Sequence, residues 1–372
     1  MKHYISHIIF PLLTGLVYAT SCTSDPSVMN PELGEEMSFE AGNIASRAAI
    51  TTNETFKDSP FMLFGDMNRT GEFYAGLKTI FNAQKVELKN NRWDYGVKQY
   101  WLMGQEHSFV AIHPYDVMPD LEGLKYENST VTFTYALPDL LDEAKDILVA
   151  AHRRKYNMDN GGAVRFKFTH LLSTINIEPA LDEVLMYEDE DDKTNYPYNK
   201  DEYILFHKIE LIGIQTKADF TFTAQPLSGD SNSTDECKVT YHLRNDGVKD
   251  LTFDYTDNPK KITNNKKNVS IFDNNRAVII LPQLFAEDSN SEIRLYYSVN
   301  DDHVLRKITI PLKGKTWNLG TNYTYKFTIE KAYTGQIKAG SFTIDVDDPI
   351  HEDDEHDDAW VWNGETIDFI FD

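Results

Sequence analysis

Three kinds of residue grouping in this chain have types and spacings that invite chemistry. The densest is DVDDPIHEDDEHDD at residues 345–358, where carboxylates flank His351 and His356. Calcium takes about six to eight oxygens on a tightly turned loop, often with a glycine near its middle, and zinc takes imidazole nitrogens at set spacings. No glycine interrupts this run, so it reads as a solvated, self-repelling loop, and EDEDD at 188–192 reads the same way. The second grouping is the general wealth of carboxylates, from which a glycosidase pair would need a fixed separation of ~5–9 Å inside a cleft. Linear spacing specifies no such cleft. The third is histidine: His107, His113 and His170 all lie in strand-like stretches, where an imidazole packs or hydrogen-bonds in a core. HExxH, GxSxG, GxxxxGK[ST] and a strand-linked GxGxxG are all absent. The expectation is a non-catalytic protein with no metal and no cofactor.

Cysteine adds one more reactive position. Lys2 and His3 precede an apolar run from Ile8 to Ala19 that is interrupted by Pro11. This run is short for a bilayer-spanning helix, which needs ~20 residues, but suits a signal peptide over residues 1–21. Ala19, Thr20 and Ser21 lead into Cys22, and the sequence resembles the lipobox of bacterial lipoproteins, whose cysteine is acylated. The usual leucine three residues before the cysteine is replaced by Ala19. Two outcomes fit: lipidation at Cys22, or cleavage near Ser21 that leaves a free thiol. The other cysteine, Cys237, reads as an apolar filler.

Composition bounds the rest. The chain has 372 residues with 59 acidic against 36 basic side chains, a net charge of −23. Such a charge repels phosphate backbones and excludes a nucleic-acid partner. It also means that attachment to a membrane would rest on acyl chains and not on attraction to anionic headgroups. A 41% hydrophobic content with 20 Tyr and 21 Phe supports sizeable cores, while a mean hydropathy of −0.47 excludes a multi-span membrane protein.

The elements that would position these residues are mostly strands. Residues 23–36 read as an acidic tether, and Met37, Phe39 and Ala41 alternate with polar or small neighbours as a half-buried strand does. FMLFGDM reads as an apolar run ended by Gly65. YWLMGQEHSFVAIHPY turns near Gly104, and STVTFTYALP alternates throughout. VRFKFTHLLSTINIEP and HKIELIGIQTKADFTFTA read as strands of one sheet. One helix is expected after Pro138, where Leu141, Ala144, Ile147 and Leu148 have helical spacing and bases close the segment. The polar stretch 226–236 reads as a linker, dividing the chain into units at 48–229 and 230–372. AVIILP, EIRLYYSV, KITIPL, YTYKFTIEK and SFTIDVDD continue the strand pattern. An all-β chain of two tandem β-sandwich domains is expected.

Several stretches together resemble the fimbrillin family, subunits of type V pili on Gram-negative anaerobes. They are ATSC, MSFEAGNIASRAAIT, FMLFGDM, YWLMGQEHSFVAIHPY, FKFTHLLSTINI followed by IELIGI, and WNLGTNYTYKFTIE, in the family's order between residues 19 and 330. The resemblance implies two transthyretin-like sandwiches and an outer-membrane lipoprotein precursor. It further implies an Arg-specific cut between Arg47 and Ala48 that releases the strand bearing Met37, Phe39 and Ala41. A strand from a neighbouring subunit then fills the vacated groove. The alternative is that Arg47 is merely a surface residue in a loop between tether and domain. ETIDFIFD, with Ile367, Phe369 and Phe371 alternating, suits a donated strand and a last strand folded into its own domain alike.

Two functions follow as expectations. The first is a structural and adhesive subunit of surface fimbriae at the cell outer membrane. Its partners would be other fimbrial subunits, in a homo- or hetero-polymer, with a host protein or glycan as adhesion target. The alternative is a lipid-anchored glycan-binding β-sandwich, which needs neither the removable strand nor Arg47.

Overall fold

A computed structural model describes residues 33–44, 51–69, 76–157, 162–181, 203–224, 237–263, 270–272, 277–300, 303–331 and 337–347. Cys22, Arg47, Ala48, Ile367, Phe369 and Phe371 lie outside these residues, as does the 226–236 stretch. The described chain is nearly all strand. The first eleven are β1 Leu33–Glu36, β2 Phe39–Ile44, β3 Phe61–Arg69, β4 Gly76–Lys89, β5 Arg92–Asp94, β6 Tyr100–Leu102, β7 Glu106–His113, β8 Leu121–Glu127, β9 Thr130–Ala136, β10 Leu148–Lys155 and β11 Val164–His170. There follow β12 Ser173–Leu181, β13 Tyr203–Gln215, β14 Lys217–Ala224, β15 Cys237–Leu243, β16 Val248–Asp254, β17 Lys260–Thr263 and β18 Val278–Ile280. The last are β19 Gln283–Leu284, β20 Glu292–Val299, β21 Arg306–Pro311, β22 Thr316–Trp317, β23 Asn322–Lys331 and β24 Ile337–Asp347.

A seven-stranded sheet in the order β2-β11-β10-β7-β3-β4-β5 dominates the first half. Its central strands are apolar on both faces. Met62, Phe64, Val110, Ile112, Val149 and Ala151 point into a large core shared with the sheet β15-β14-β9-β8. Their neighbours Phe61, Leu63, Phe109, Ala111, Leu148 and Ala150 point into a second, smaller core. Double burial explains why FMLF, FVAI and LVAA are continuous apolar runs, since a strand with one wet face would alternate.

The expected helix after Pro138 is replaced by a short 3-10 turn, Leu141–Glu143, and the central strand β10. Leu148 through Ala151 are all buried, and four consecutive apolar residues satisfy both faces of a strand as well as one side of a helix. Gly65 also departs from expectation, because it lies inside β3 and does not end it. A Cβ there would stand 2.9 Å from the Phe109 ring and 3.0 Å from the Phe81 ring, so the absent side chain lets two rings close over the strand. The end of the expected tether, 33–36, is strand β1 paired with β6. Likewise residues 345–347 of the acidic run end β24.

The second half builds the sheets β18-β12-β23-β24 and β16-β13-β20-β21, with β17 also on β13. Phe206 of β13 meets Phe327 of β23 across them at 6.5 Å between ring centroids. Strands expected in one sheet thus fall in four: β11, β12, β13 and β14 each join a different one. The breaks are short. Leu171 and Leu172, both buried, separate β11 from β12. Thr216 alone separates β13 from β14, fixed where its hydroxyl and amide donate to Gly247 O at 2.6 and 2.8 Å. Sheet membership does not change at 229/230; that point falls in the connection of the β14–β15 hairpin. β12 and β13, which precede it, pair with strands beyond residue 247.

Candidate functional site

The segment with Met37, Phe39 and Ala41 occupies an edge of the seven-stranded sheet. β2 runs parallel to β11, Phe39 opposite Val164 and Ile44 opposite Phe168, in a sheet whose other pairings are antiparallel. Met37 and Phe39 are 1% and 5% exposed, and Ala41 is half-buried against the smaller core. Period-2 patterning had placed these three on one face, and the fold does so.

Phe39 sits in a box of four rings. Tyr95, Phe109 and Phe81 present edges at 5.4, 5.7 and 5.8 Å, and Phe166 stacks in parallel at 5.9 Å. Such offsets are the arrangements that ring quadrupoles favour. The four rings come from β4, the segment after β5, β7 and β11, so sequence spacing did not reveal the box. Only Phe166 and Phe168 could be assigned to a common face, by their alternation in VRFKFTH.

The backbone of the segment is held at intervals. Met37 N donates to Gln99 O at 2.8 Å, and Ser38 O accepts from Val164 N at 2.8 Å. The Tyr95 hydroxyl donates to Met37 O at 2.8 Å; burial raises the pKa of this phenol, which keeps it protonated as a donor. Trp93 Nε1 donates to Ala41 O at 3.3 Å. Two ion pairs flank the buried residues: Lys98 to Glu36 at 2.6 Å and Arg165 Nε to Glu40 at 2.8 Å. Both pairs are exposed, so they add little stability, but they fix which residue lies where along the slot. Glu35 accepts from Gly162 N as well.

The chain is caught again beyond β2. Thr51 N donates to Asp146 Oδ2 at 2.9 Å, and Asp146 Oδ1 meets His170 Nδ1 at 2.8 Å. Both partners are buried. Residues 45–50, which include Arg47 and Ala48, therefore connect two fixed points, Ile44 on β11 and Thr51 on Asp146.

What the arrangement shows is an edge strand held by ring packing, backbone pairing and two ion pairs. Removing the segment would leave the β11 edge unpaired and the ring box open, a surface that recruits another strand. His107 and His113 are buried with pKa values lowered to about 4 by desolvation, and both have entered the core as histidines in strands do. Trp101 and Trp317 are fully buried, so neither offers a platform for a sugar ring. Burial pushes the Cys237 thiol up to about 12. Among the described residues, no group of three or more His, Cys, Asp or Glu side chains could hold a metal, and no helix is long and apolar enough to cross a membrane.

Comparison with known proteins gives the geometry its context. A fimbrial protein from Bacteroides vulgatus superposes with a TM-score of 0.56 at 17% identity, covering 84% of this chain and 99% of that one. Looser likenesses include a candidate cell adhesion protein from Bacteroides uniformis, with a TM-score of 0.40, 14% identity and coverage of 83% and 98%. Another is a fimbrial assembly protein from Parabacteroides distasonis, with a TM-score of 0.32, 10% identity and coverage of 84% and 96%. No curated protein matches the sequence. A family model described as fimbrillin-like matches residues 45–346, a span that starts just past β2 and takes in every later strand but the last residue of β24, and on that match the chain belongs to the fimbrillin-like family.

Proposed function

We propose that the chain is a structural and adhesive subunit of surface fimbriae, without catalytic activity, in which the segment ending at Arg47 is a removable occupant of the β11 edge. The observation that carries this reading is the seating of Met37 and Phe39: an edge strand with a buried aromatic anchor, joined to the rest of the chain through residues 45–50. A cut between Arg47 and Ala48 separates that strand from the fold, together with β1 and its pairing to β6, and leaves every other described pairing in place. A neighbouring subunit's strand, for which Ile367, Phe369 and Phe371 are the candidate side chains, then restores the ladder and refills the box. Family membership and the Bacteroides vulgatus fold support the assembly context.

The precursor is held at the outer membrane by acyl chains on Cys22, so labelled palmitate enters the wild type and not Cys22→Ser. Its sandwiches are two interleaved units, with the β14–β15 hairpin contributed to the first from within the second. Nicking 225–236 therefore leaves the fragments associated. The direct test is electron microscopy of sheared surface material with an antibody to this chain. Labelled filaments from wild-type cells, and unpolymerised lipoprotein from Arg47→Ala cells, support the reading. Monomer in both, with affinity for polysaccharide, supports instead a lipid-anchored glycan-binding protein.

A further inference from the structure

The strand that the N-terminal segment covers carries an arginine of its own. Arg165 lies on β11, its side chain 81% exposed and paired through Nε with Glu40 at 2.8 Å. Its neighbours Val164, Phe166 and Phe168 are buried in the smaller core. The backbone here is flanked unequally. β2 lies along residues 164–168, and Val164 N donates to Ser38 O at 2.8 Å. On the other side β10 meets β11 only at its far end, with Leu148 opposite His170 and Val149 opposite Thr169. Among the described pairings, β2 is thus the sole ladder partner of residues 164–168.

The other arginines in described strands lack this dependence. Arg69 and Arg92 pair with β4, Arg153 and Arg154 with β7, and Arg294 and Arg306 within the β20–β21 ladder, all of which remain once the residues before Ala48 have left. Losing that segment strips Arg165 of its carboxylate, residues 164–168 of their ladder, and Phe166 of the Phe39 ring stacked on it at 5.9 Å. Phe166 is then held by Phe61 at 6.0 Å and Phe168 at 5.9 Å, and upstream Arg154 Nη2 donates to Gly162 O at 3.0 Å. Susceptibility to proteolysis follows the burial and hydrogen bonding of the backbone to be cut. Phe166 must leave the core before the bond beside it enters a protease cleft. Cutting therefore follows the population of a locally opened strand, which rises as these contacts are removed.

We infer that the Arg165–Phe166 bond is a second cleavage site for an Arg-specific endoprotease, shielded while a strand lies on β11 and open while that edge is bare. Water adds to the Arg165 carbonyl carbon and the bond to Phe166 N breaks. The nitrogen takes a proton from the water, leaving a new carboxylate at Arg165 and a new amine at Phe166. This cut divides the wall of the slot, with Val164 on one piece and Phe166 and Phe168 on the other. A subunit that stays empty loses the slot for good, whereas one whose edge is refilled keeps it. The inference rests on the proposed removal of the N-terminal segment, and it adds a modification site, the protease class that reads it and a limit on the lifetime of the empty state.

The experiment uses the full secreted chain, with Cys22→Ser and an arginine-free site for a sequence-specific protease in place of residues 45–50. After that cut and separation of the released peptide, the cut and the uncut chains are each incubated briefly with an Arg-specific endoprotease. Mass spectrometry follows the fragment that begins at Phe166. It should form at least tenfold faster from the cut chain, return to the uncut rate with an excess of synthetic peptide 33–44, and be missing from Arg165→Lys, which keeps the positive charge. Release of the N-terminal peptide with equal rates at Arg165–Phe166 in both chains, whether fast or slow, overturns the second site while leaving the removable strand intact. Retention of the peptide after the first cut, even with Phe39→Ala to loosen it, overturns the removable strand and the inference together.

Discussion

If Phe39 anchors a separable edge strand, replacing it with alanine should loosen residues 33–44 and leave the sheet behind them alone. Phe39 is 5% exposed and touches four rings at centroid distances of 5.4–5.9 Å. Truncating a buried phenylalanine costs about 3–5 kcal/mol. The lower figure applies here, because an edge strand can settle toward the cavity more easily than a central one. At 1.4 kcal/mol per tenfold, about 3 kcal/mol raises the population of the undocked segment roughly 100-fold. Hydrogen exchange reads this at two amides that the segment covers or supplies, Met37 N on Gln99 O and Val164 N facing Ser38 O. Both should exchange roughly 100-fold faster in Phe39→Ala. Amides of the β7–β10 ladder around Ala111 and Ala150 should keep their wild-type rates. Equal acceleration at both places would mean that β2 is an inseparable part of the sheet, and unchanged rates at Met37 and Val164 would mean that the ring box holds nothing.

Three further outcomes follow from the same structure. Asp146→Asn leaves one oxygen to serve both Thr51 N and His170 Nδ1, so the variant should lose about 2 kcal/mol in urea denaturation and show faster exchange at Thr51. Burial lowers His107 and His113 to about 4, below the unfolded value of ~6.5. Between those values only the unfolded chain takes up the protons, so stability is complete above pH ~6.5 and falls on acidification toward pH ~4, by at most about 3 kcal/mol per histidine. His113→Phe, which keeps the stacking on Phe56 at 4.3 Å, should flatten the fall in denaturant midpoint between pH 7 and 4.5. Gly65→Ala pushes a methyl group to 2.9 Å from the Phe109 ring, and overpacking of this kind should cost about 1–3 kcal/mol, visible as a lower Tm.

Local alternation made most strands legible. STVTFTYA, VRFKFTH and EIRLYYSV each expose one face, and they became β9, β11 and β20. The segment that misled was the one with no wet face: LVAA of β10 lies between two cores, and its run of apolar residues carries no period. Sheet membership was illegible for a different reason. β11 and β12 are separated only by Leu171 and Leu172, yet their partners lie on opposite sides of the sequence, β10 before them and β18 and β23 far after. Nothing within a window of twenty residues encodes that choice. The candidate site divides in the same way. Met37 and Phe39 showed their shared face, whereas the ring box, Lys98, Arg165 and the Asp146–His170 anchor exist only once strands distant in sequence have paired.

The central claim is that the strand bearing Met37 and Phe39 is removed at Arg47 before the subunit joins a filament. It is tested most directly by determining the N-terminus of this chain in purified filaments beside that of the membrane-bound precursor. The account predicts Ala48 as the first residue in filaments, an acylated Cys22 in the precursor, and no filament-borne chain from Arg47→Ala cells. Filaments whose subunits retain residues 33–44 in full-length chains would contradict it.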